Sequence, residues 1–266
     1  MPGAEMFLTP AGAYDRYMGR YGPSLAEALI DFARVTPGMR ALDVGCGTGA
    51  LTAALAELLG AENVAGVDPS EPFAEACRRR VSDAEIVIAG AERLPFADAS
   101  FDAALSQLVV NFMSDARGGV AEMARVTRPG GIVAACVWDY AGEMTLLRAF
   151  WEAAREVDPG RARDADEAHM RWRSPVELTE LWRAAGLDNV RTAPLVAQAA
   201  YAGFEDLWEP LPLGVGPAGA FCKALDDGAR ADLHDAFRRR LGVGDGPFEL
   251  SARAWAVAGT PGSPTA

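Results

Sequence analysis

At 266 residues the chain is long for one minimal domain and short for two full ones, so a single α/β domain with insertions fits best. Half of it is hydrophobic, enough for a sizeable core, and a net charge of −12 repels phosphate backbones and argues against nucleic acid as a partner. Cys46, Cys77, Cys136 and Cys222 lie far apart without a CxxC or Cys/His cluster, which argues against a disulfide framework and against a metal site.

The sequence opens without a signal-peptide pattern, and no apolar run is long enough to span a bilayer, so the reducing cytoplasm is the expected setting. Residues 24–34 (SLAEALIDFAR) predict a helix capped by Ser24 and broken at Pro37-Gly38. A short buried strand at 41–44 ends at Gly45, and a helix at 49–59 is closed by Gly60. A second strand at 64–67 leads to a helix capped by Ser70 and running to about residue 81. Strands follow at 84–89 and 101–108, then a helix at 116–127 stopped by Arg128-Pro129-Gly130-Gly131. Residues 132–138 are a continuous apolar run, typical of a strand covered on both faces. This alternation predicts βαβ units, a parallel sheet and helices on both of its faces.

The second half is less regular. Residues 143–157 read as a helix and the polar stretch 158–167, with Pro159-Gly160, as a loop. Residues 174–185 carry a full set of helix signals: Ser174 as cap, Pro175 next, Glu177 third and Gly186 after the end. A strand is expected at 190–200, mainly helix over 204–242 with a break at 210–219, and an alternating, antiparallel last strand at 248–258. Residues 259–266 are rich in Gly, Pro, Ser and Thr and predict a disordered tail. The basic triplets at 78–80 and 238–240 read as solvated helix ends.

The strongest chemical signal is ALDVGCGTG at 41–49. Glycines allow a sharp turn and close ligand approach, and the helix that follows aims free N–H groups at the ligand. Gly45, Gly47 and Ala50 also satisfy a dinucleotide fingerprint. Asp43, however, places a carboxylate where a pyrophosphate would be repelled and a ligand bearing an ammonium and a sulfonium would be welcome. The loop has no Lys or Arg, so it is not a P-loop. Asp68 ends the second strand 23 positions after Gly45, where a carboxylate can accept from both hydroxyls of a ribose.

These residues resemble the class I methyltransferases, within them the UbiE-like (methyltransferase type 11) group. Residues 42–49 are similar to that family's first motif, Val67-Asp68-Pro69-Ser70 to the acidic end of its second strand, and residues 91–96 with Ser100-Phe101-Asp102 to its AExLPF…SFD signature. Residues 122–131 are similar to its segment from helix to fifth strand. The resemblance spans residues 24–139 and implies a Rossmann-like, doubly wound seven-stranded sheet, mostly parallel with an antiparallel last strand. It implies S-adenosylmethionine as cofactor and methyl transfer to a small molecule the sequence does not identify.

Residue by residue, it implies that the loop of Gly45, Cys46, Gly47, Thr48 and Gly49 holds the methionine end of the cofactor. Asp43 orients that loop and the ammonium, and Asp68, followed by Pro69, binds ribose. Ala91 and Glu92 flank adenine, and Gln107 and Leu108 face the methyl. The family commonly has Asp before the AE pair, but here Gly90 stands there, which shifts adenine recognition toward backbone groups or Glu92. Residues 1–23 are expected to cover the cofactor, with Tyr14 and Arg20 over its methionine end. A single domain is expected over 24–258, with lid insertions at about 140–173 and 203–245.

Methyl transfer is an in-line displacement that rests on alignment and exclusion of water. A base is needed only for nucleophiles such as a phenol or alcohol. Of the two histidines, His169 lies in the lid segment and is the candidate base, while His234 reads as a surface residue. Trp138, Tyr140, Phe150, Trp151, Trp172, Trp208 and Phe221 are candidates for an apolar pocket or for the lid's own core. Two other readings stay open: an NAD(P)-linked oxidoreductase, for which no Tyr-x-x-x-Lys constellation is visible, and a non-catalytic cofactor-binding regulator.

Overall fold

A computed structural model describes residues 11–262. Strands β1 (Ala41–Val44), β2 (Val64–Asp68), β3 (Glu85–Ile88), β4 (Phe101–Gln107), β5 (Thr127–Trp138), β6 (Leu187–Tyr201) and β7 (Phe248–Pro261) form one seven-stranded sheet in the order β3-β2-β1-β4-β5-β7-β6. The first five are mutually parallel, while β7 runs antiparallel between β5 and β6. This is the expected Rossmann-like sheet. Strand order reverses at β1, which has β2 on one side and β4 on the other, so the two halves of the sheet diverge there and leave a crevice at the carboxyl ends of the strands.

The helices are α1 (Ala11–Arg16), α2 (Gly22–Ala33), α3 (Ala50–Leu59), α4 (Glu71–Arg80), α5 (Ala116–Val126), α6 (Thr145–Val157), α7 (Pro159–Ala165), α8 (Pro175–Ala184), α9 (Phe204–Trp208), α10 (Gly216–Lys223) and α11 (Asp227–Leu241). Alternation along the strands feeds two cores. Ala103 and Leu105 of β4 join Leu25, Leu29 and Leu55 on one face, and Ala104 joins Leu42, Val120 and Met123 on the other. Both faces are covered, which is why the central strands are mostly apolar, with Asp43 of β1 and Ser106 and Gln107 of β4 as polar exceptions toward their carboxyl ends.

Several local expectations change. Helix α2 starts at Gly22 with Pro23 in its first turn, so Ser24 sits inside the helix rather than capping it. Its hydroxyl donates to the Tyr21 carbonyl at 3.3 Å and accepts from the Gln198 N–H at 3.3 Å, linking α2 to β6. The stretch expected as a loop contains α7, because the Asp158 side chain accepts from the Arg161 N–H at 2.9 Å and Pro159 follows it. Ser174 caps α8 as read, with Glu177 returning to the Arg173 N–H at 3.2 Å. The expected tail is shorter, since residues 259–261 belong to β7, where Thr260 pairs with Asp188 and Pro261 with Leu187. Residues 263–266 of that tail, and residues 1–10 of the expected covering segment, lie outside the described residues.

The segments expected to form a lid pack on each other. Phe150 makes edge-to-face contacts with Trp151, Phe221 and Phe237 at 5.1, 6.2 and 5.5 Å between centroids. Trp208 stacks on Phe204 at 6.4 Å and meets the His234 ring edge-on at 5.1 Å. The basic triplets do end α4 and α11, but not as free charges. Arg78 donates to the Ile86 carbonyl, and Arg239 and Arg240 reach Glu156 of α6. All four cysteines are free thiols in the interior. Among the described residues no helix is long and apolar enough to cross a membrane.

Trp182 of α8 is fully buried and its indole N–H donates to the Val133 carbonyl of β5 at 3.1 Å. Trp182→Ala leaves a cavity and removes the indole hydrogen bond to Val133, and should cost about 3–5 kcal/mol of stability. Urea denaturation measures it, and a loss below about 1 kcal/mol would contradict this account of the core.

Candidate active site

The site is built by two loops leaving adjacent strands. At the end of β1 the chain turns through Gly45, Gly47 and Gly49 with φ of 77°, 53° and 90°. The Gly45 and Cys46 N–H groups both donate to the Val67 carbonyl, at 2.8 and 2.9 Å, tying this loop to β2. A Cβ on Gly45 would stand 2.4 Å from Val109 Cγ2, so the position tolerates only glycine. At Gly47 a Cβ would meet nothing within 4 Å, because the residue faces the crevice.

Asp68 bridges the two loops. Its Oδ2 accepts from the Gly47 N–H at 2.9 Å and its Oδ1 from the Ser70 N–H at 2.8 Å. Burial pushes the Asp68 carboxyl up, against the pull of those two donors. The Ser70 side chain makes no capping hydrogen bond to α4. Asp68 thus receives the Ser70 N–H in addition to facing the crevice, which corrects the expectation that Ser70 alone serves as the cap.

Asp43 is 1% exposed. Its Oδ2 accepts from the Thr52 hydroxyl at 2.7 Å, while its Oδ1 has no partner. Burial pushes its carboxyl up to about 7, with the Thr52 hydroxyl pulling the other way and the neighbouring Asp68 adding to the rise.

Between the loops lies a cavity of about 450 Å³. Of the residues expected to hold the cofactor, Tyr14, Gly45, Gly47, Asp68, Pro69, Gly90, Ala91, Glu92, Gln107 and Leu108 all line it. Asp43, Cys46 and Thr48 line a smaller neighbouring cavity of about 40 Å³ that shares Tyr14, Gly45, Gly47, Gln107 and Leu108 with it. Gln107 donates to the Gly22 carbonyl at 3.2 Å, and its Oε1 is buried without a partner. Leu108 has a φ of 63°, a conformation rare for a branched side chain and held by its N–H bond to the Cys136 carbonyl at 2.9 Å.

Four expectations are placed differently. Gly49 lines neither cavity and instead precedes the first turn of α3. Arg20 also lines neither. Its guanidinium donates to the Ala200 carbonyl at 2.9 Å and to Asp206, and lies over the Tyr201 ring, so it fastens the N-terminal segment to β6 and α9. His169 is exposed and lines no described cavity. Glu92 lines the large cavity, but its Oε1 accepts from the Ser114 hydroxyl and N–H at 2.8 and 3.0 Å and from the Asp115 N–H at 3.3 Å. Burial works against that carboxylate, yet these bonds hold it below the usual range. Glu92 therefore shapes the 113–115 turn beside the cavity.

Sequence reasoning missed Ser70, Phe73, Val109, Phe112, Met113 and Ser114 in the cavity wall. The apolar run directly after β4 was the available signal for three of them, Val109, Phe112 and Met113. It also missed Asp15, whose Oδ1 accepts from the Thr48 hydroxyl at 2.5 Å and whose Oδ2 receives Arg80 at 3.1 Å. This clasps α1 to the glycine loop and to the end of α4, while the Tyr14 ring lies 5.6 Å from that of Phe73. Of the candidate pocket aromatics, Trp138 and Tyr140 line a third cavity, of about 40 Å³. Phe150, Trp151, Trp208 and Phe221 are buried in the hydrophobic core, and Trp172 lies under the Arg171 guanidinium.

Comparison with known proteins agrees with this geometry. A family described as a methyltransferase domain matches residues 42–135, from β1 into β5. An uncharacterized methyltransferase of Mycobacterium tuberculosis is 33% identical over 66% of this chain and 67% of its own length. The demethylmenaquinone methyltransferase of Beutenbergia cavernae is 36% identical over 49% of this chain, and this chain spans 60% of its length. For the malonyl-[acyl-carrier protein] O-methyltransferase of Serratia marcescens the figures are 33% identity over 49% of this chain and 50% of that protein. This chain thus spans only half to three fifths of the length of these two relatives. Among solved structures, a SAM-dependent methyltransferase of Thermotoga maritima aligns over 97% of this chain and 99% of its own, with a TM-score of 0.56 at 20% identity, which shows a common fold. Sheet order, glycine loop and these matches together place the chain in the class I S-adenosylmethionine-dependent methyltransferase family.

Proposed function

We propose that this chain binds S-adenosylmethionine in the cavity between β1, β2 and β4 and transfers its methyl group to a small-molecule acceptor. The observation that carries this reading is the unpartnered Oδ1 of Asp43, buried beside the glycine loop. A buried acceptor without a donor is costly, and the ammonium of a methionine moiety, directly or through a water, supplies the missing charge. The main cavity, about 450 Å³, falls within the range of about 300–1,000 Å³ usual for small ligands. A pyrophosphate would face two desolvated carboxylates instead, which disfavours a dinucleotide.

In this reading the Gly45–Cys46–Gly47–Thr48 turn holds the amino-acid end. Asp68 offers its remaining lone pairs to the ribose hydroxyls, and Gly90 and Ala91 border adenine with Phe73 and Met113. Gly49 shapes the turn without touching the ligand. Gln107 and strained Leu108 face the methyl, and the cofactor, when bound, supplies an electrophilic methyl on a sulfonium. The protein's part is to align the acceptor and exclude water, with residues 11–23, led by Tyr14 and clasped by Asp15, as the cover. The lid segments at 140–173 and 203–245 roof the acceptor side. A quinone-like or acyl acceptor of the kind named for the relatives is compatible with this arrangement, and a net charge of −12 disfavours nucleic acid as a partner.

Two variants test the reading. Asp68→Ala, checked for folding by circular dichroism, should weaken S-adenosylmethionine binding about 100-fold or more in calorimetry, because charge-assisted bonds to two hydroxyls are lost. Unchanged affinity in the folded variant, or tighter binding of NAD by the native chain, overturns the assignment.

Asp43→Asn separates stability from binding. The folded-state carboxyl, at about 7, stands above its unfolded value of 3.8. Asp43 therefore costs folding nothing below about pH 4, increasingly more as pH rises toward 7, and its full penalty above that. The ligand-free variant should gain about 5 °C in Tm at pH 8 and clearly less at pH 5, while S-adenosylmethionine affinity falls. A variant that is no more stable at pH 8, or that binds as tightly as the native chain, removes Asp43 from this role.

A further inference from the structure

The third cavity, about 40 Å³, shares Tyr14, Leu108 and Phe112 with the large one and so adjoins the end of the site where Leu108 stands. Trp138 and Tyr140 from the end of β5, with Tyr17, supply aromatic wall, and a single carboxyl, Glu167, enters it. Glu167 is 5% exposed and sits on a 3-10 turn, Glu167–His169, that follows α7. Its Oε2 accepts from the Trp151 indole N–H at 2.6 Å.

The residue beside it takes the available cation. Asp166 caps the turn by accepting from the Ala168 N–H at 2.8 Å and pairs with Arg155 of α6. Glu167 is left in an aromatic chamber with one neutral donor. Burial pushes its carboxyl up to about 8, with Trp151 pulling the other way and Asp166 adding to the rise. Tyr17 is buried in the same wall and its hydroxyl has no partner. An acceptor that arrives as an anion would be repelled once Glu167 ionises. One that arrives as an ammonium would meet an uncharged acid below about pH 8. A neutral hydroxyl suits both states, as donor to the carboxylate and acceptor from the tyrosine.

Building on the methyl-transfer reading above, we propose that this cavity receives the reacting end of a phenol or enol, whose proton passes to the Glu167 carboxylate while the Tyr17 hydroxyl donates to its oxygen. The O–H bond breaks toward Glu167, and an oxygen lone pair forms the bond to the methyl carbon. The carbon–sulfur bond breaks with its electron pair left on sulfur. The products are a methyl ether, a neutral thioether and protonated Glu167, which returns its proton to water after product release. Of the groups that face Glu167, Asp166 is held by Arg155, and the Tyr17 and Tyr140 hydroxyls are pushed well up by burial. Tyr14 in the same wall is likewise raised, to about 12, so among these groups Glu167 alone titrates near neutrality. With S-adenosylmethionine saturating, so that Asp43, at about 7 in the cofactor site, does not limit binding, turnover should rise with pH through about 8.

The test uses the whole chain, 1-naphthol as probe, and the variants Glu167→Gln and Tyr17→Phe. Calorimetry reads S-adenosylhomocysteine affinity, tryptophan fluorescence reads 1-naphthol binding to the loaded protein, and turnover is followed from about pH 6 to about pH 9. Glu167→Gln should keep S-adenosylhomocysteine affinity within about two-fold, lose about 100-fold in kcat and lose the rise with pH. Tyr17→Phe removes an unpaired buried hydroxyl, so its Tm should hold or increase while 1-naphthol binds about five-fold more weakly. The inference is overturned if 1-naphthol fails to bind the loaded native chain or if 1-naphthylamine is methylated in preference to it. It is equally overturned if Glu167→Gln keeps native kcat and pH profile. If the native chain does not bind S-adenosylhomocysteine, the methyl-transfer reading itself fails and takes the role of Glu167 with it.

Discussion

Two carboxylates held out of water at the ends of adjacent parallel strands are the constraint on which the rest of this molecule depends. Asp43 lies in β1 and Asp68 ends β2, in strands paired from Ala41 with Val64 to Val44 with Val67. Burial raises both carboxyls, and the proximity of Asp68 raises Asp43 further. No arginine or lysine pairs with either among the described residues. A fold seldom retains such an arrangement for stability alone, because desolvated like charges oppose folding. The glycine turn answers it in part: the Gly47 and Ser70 N–H groups are spent on Asp68, and the Thr52 hydroxyl on Asp43. The acceptor left over on Asp43 is the site's strongest pointer to a cationic ligand.

Much of this was legible in the sequence, because the chemistry lies at the ends of strands and strands are periodic. The run ALDVGCGTG fixed a strand, a turn and a helix start with no competing interpretation of the local backbone. Asp68 followed from its distance along the next βα unit. What was not legible depends on contacts between segments far apart in the chain. Arg20 looked like a cover because it stands among aromatics, but its partners Ala200 and Asp206 are about 180 residues away, beyond the reach of any local pattern. Helix α7 was hidden by polar composition, since its stability comes from Asp158 and Pro159 at its start rather than from an apolar stripe. Residues 259–261 read as tail because Gly and Pro are poor strand formers, yet Gly259 fits there because a Cβ would come within 3.1 Å of the Trp182 ring and Leu187.

The segments expected as a lid illustrate how composition alone divides poorly between wall and core. Seven aromatics were candidates for a pocket, and the edge-to-face contacts of Phe150 draw Trp151 of α6 and Phe221 of α10, together with Phe237 of α11, into a packed cluster. Trp138 and Tyr140 differ because they leave the end of β5 at the crevice, where the sheet supplies an open side. Position relative to the carboxyl edge of the sheet, not aromatic character, decides which ring meets a ligand.

The same argument applies to the acid–base question. His169 was singled out as a histidine in the segment expected to form the lid. Exposed on its turn and lining no described cavity, it lacks the position. Glu167, two residues earlier, lines the third cavity, and burial raises its carboxyl to about 8. The turn delivers one side chain inward and the other outward because Asp166 fixes its start through both the Ala168 N–H and Arg155. At the opposite wall, Asp15 and Arg20 anchor the segment carrying Tyr14 and Tyr17 at its two ends, to the glycine loop on one side and to β6 on the other. The two groups that the phenol reading pairs, a carboxyl from the lid and a hydroxyl from the N-terminal cover, are thus each held by ion pairs that do not touch the cavity. Their spacing is set by the fold before any ligand arrives, which is the preorganisation that proton transfer across a small apolar chamber requires.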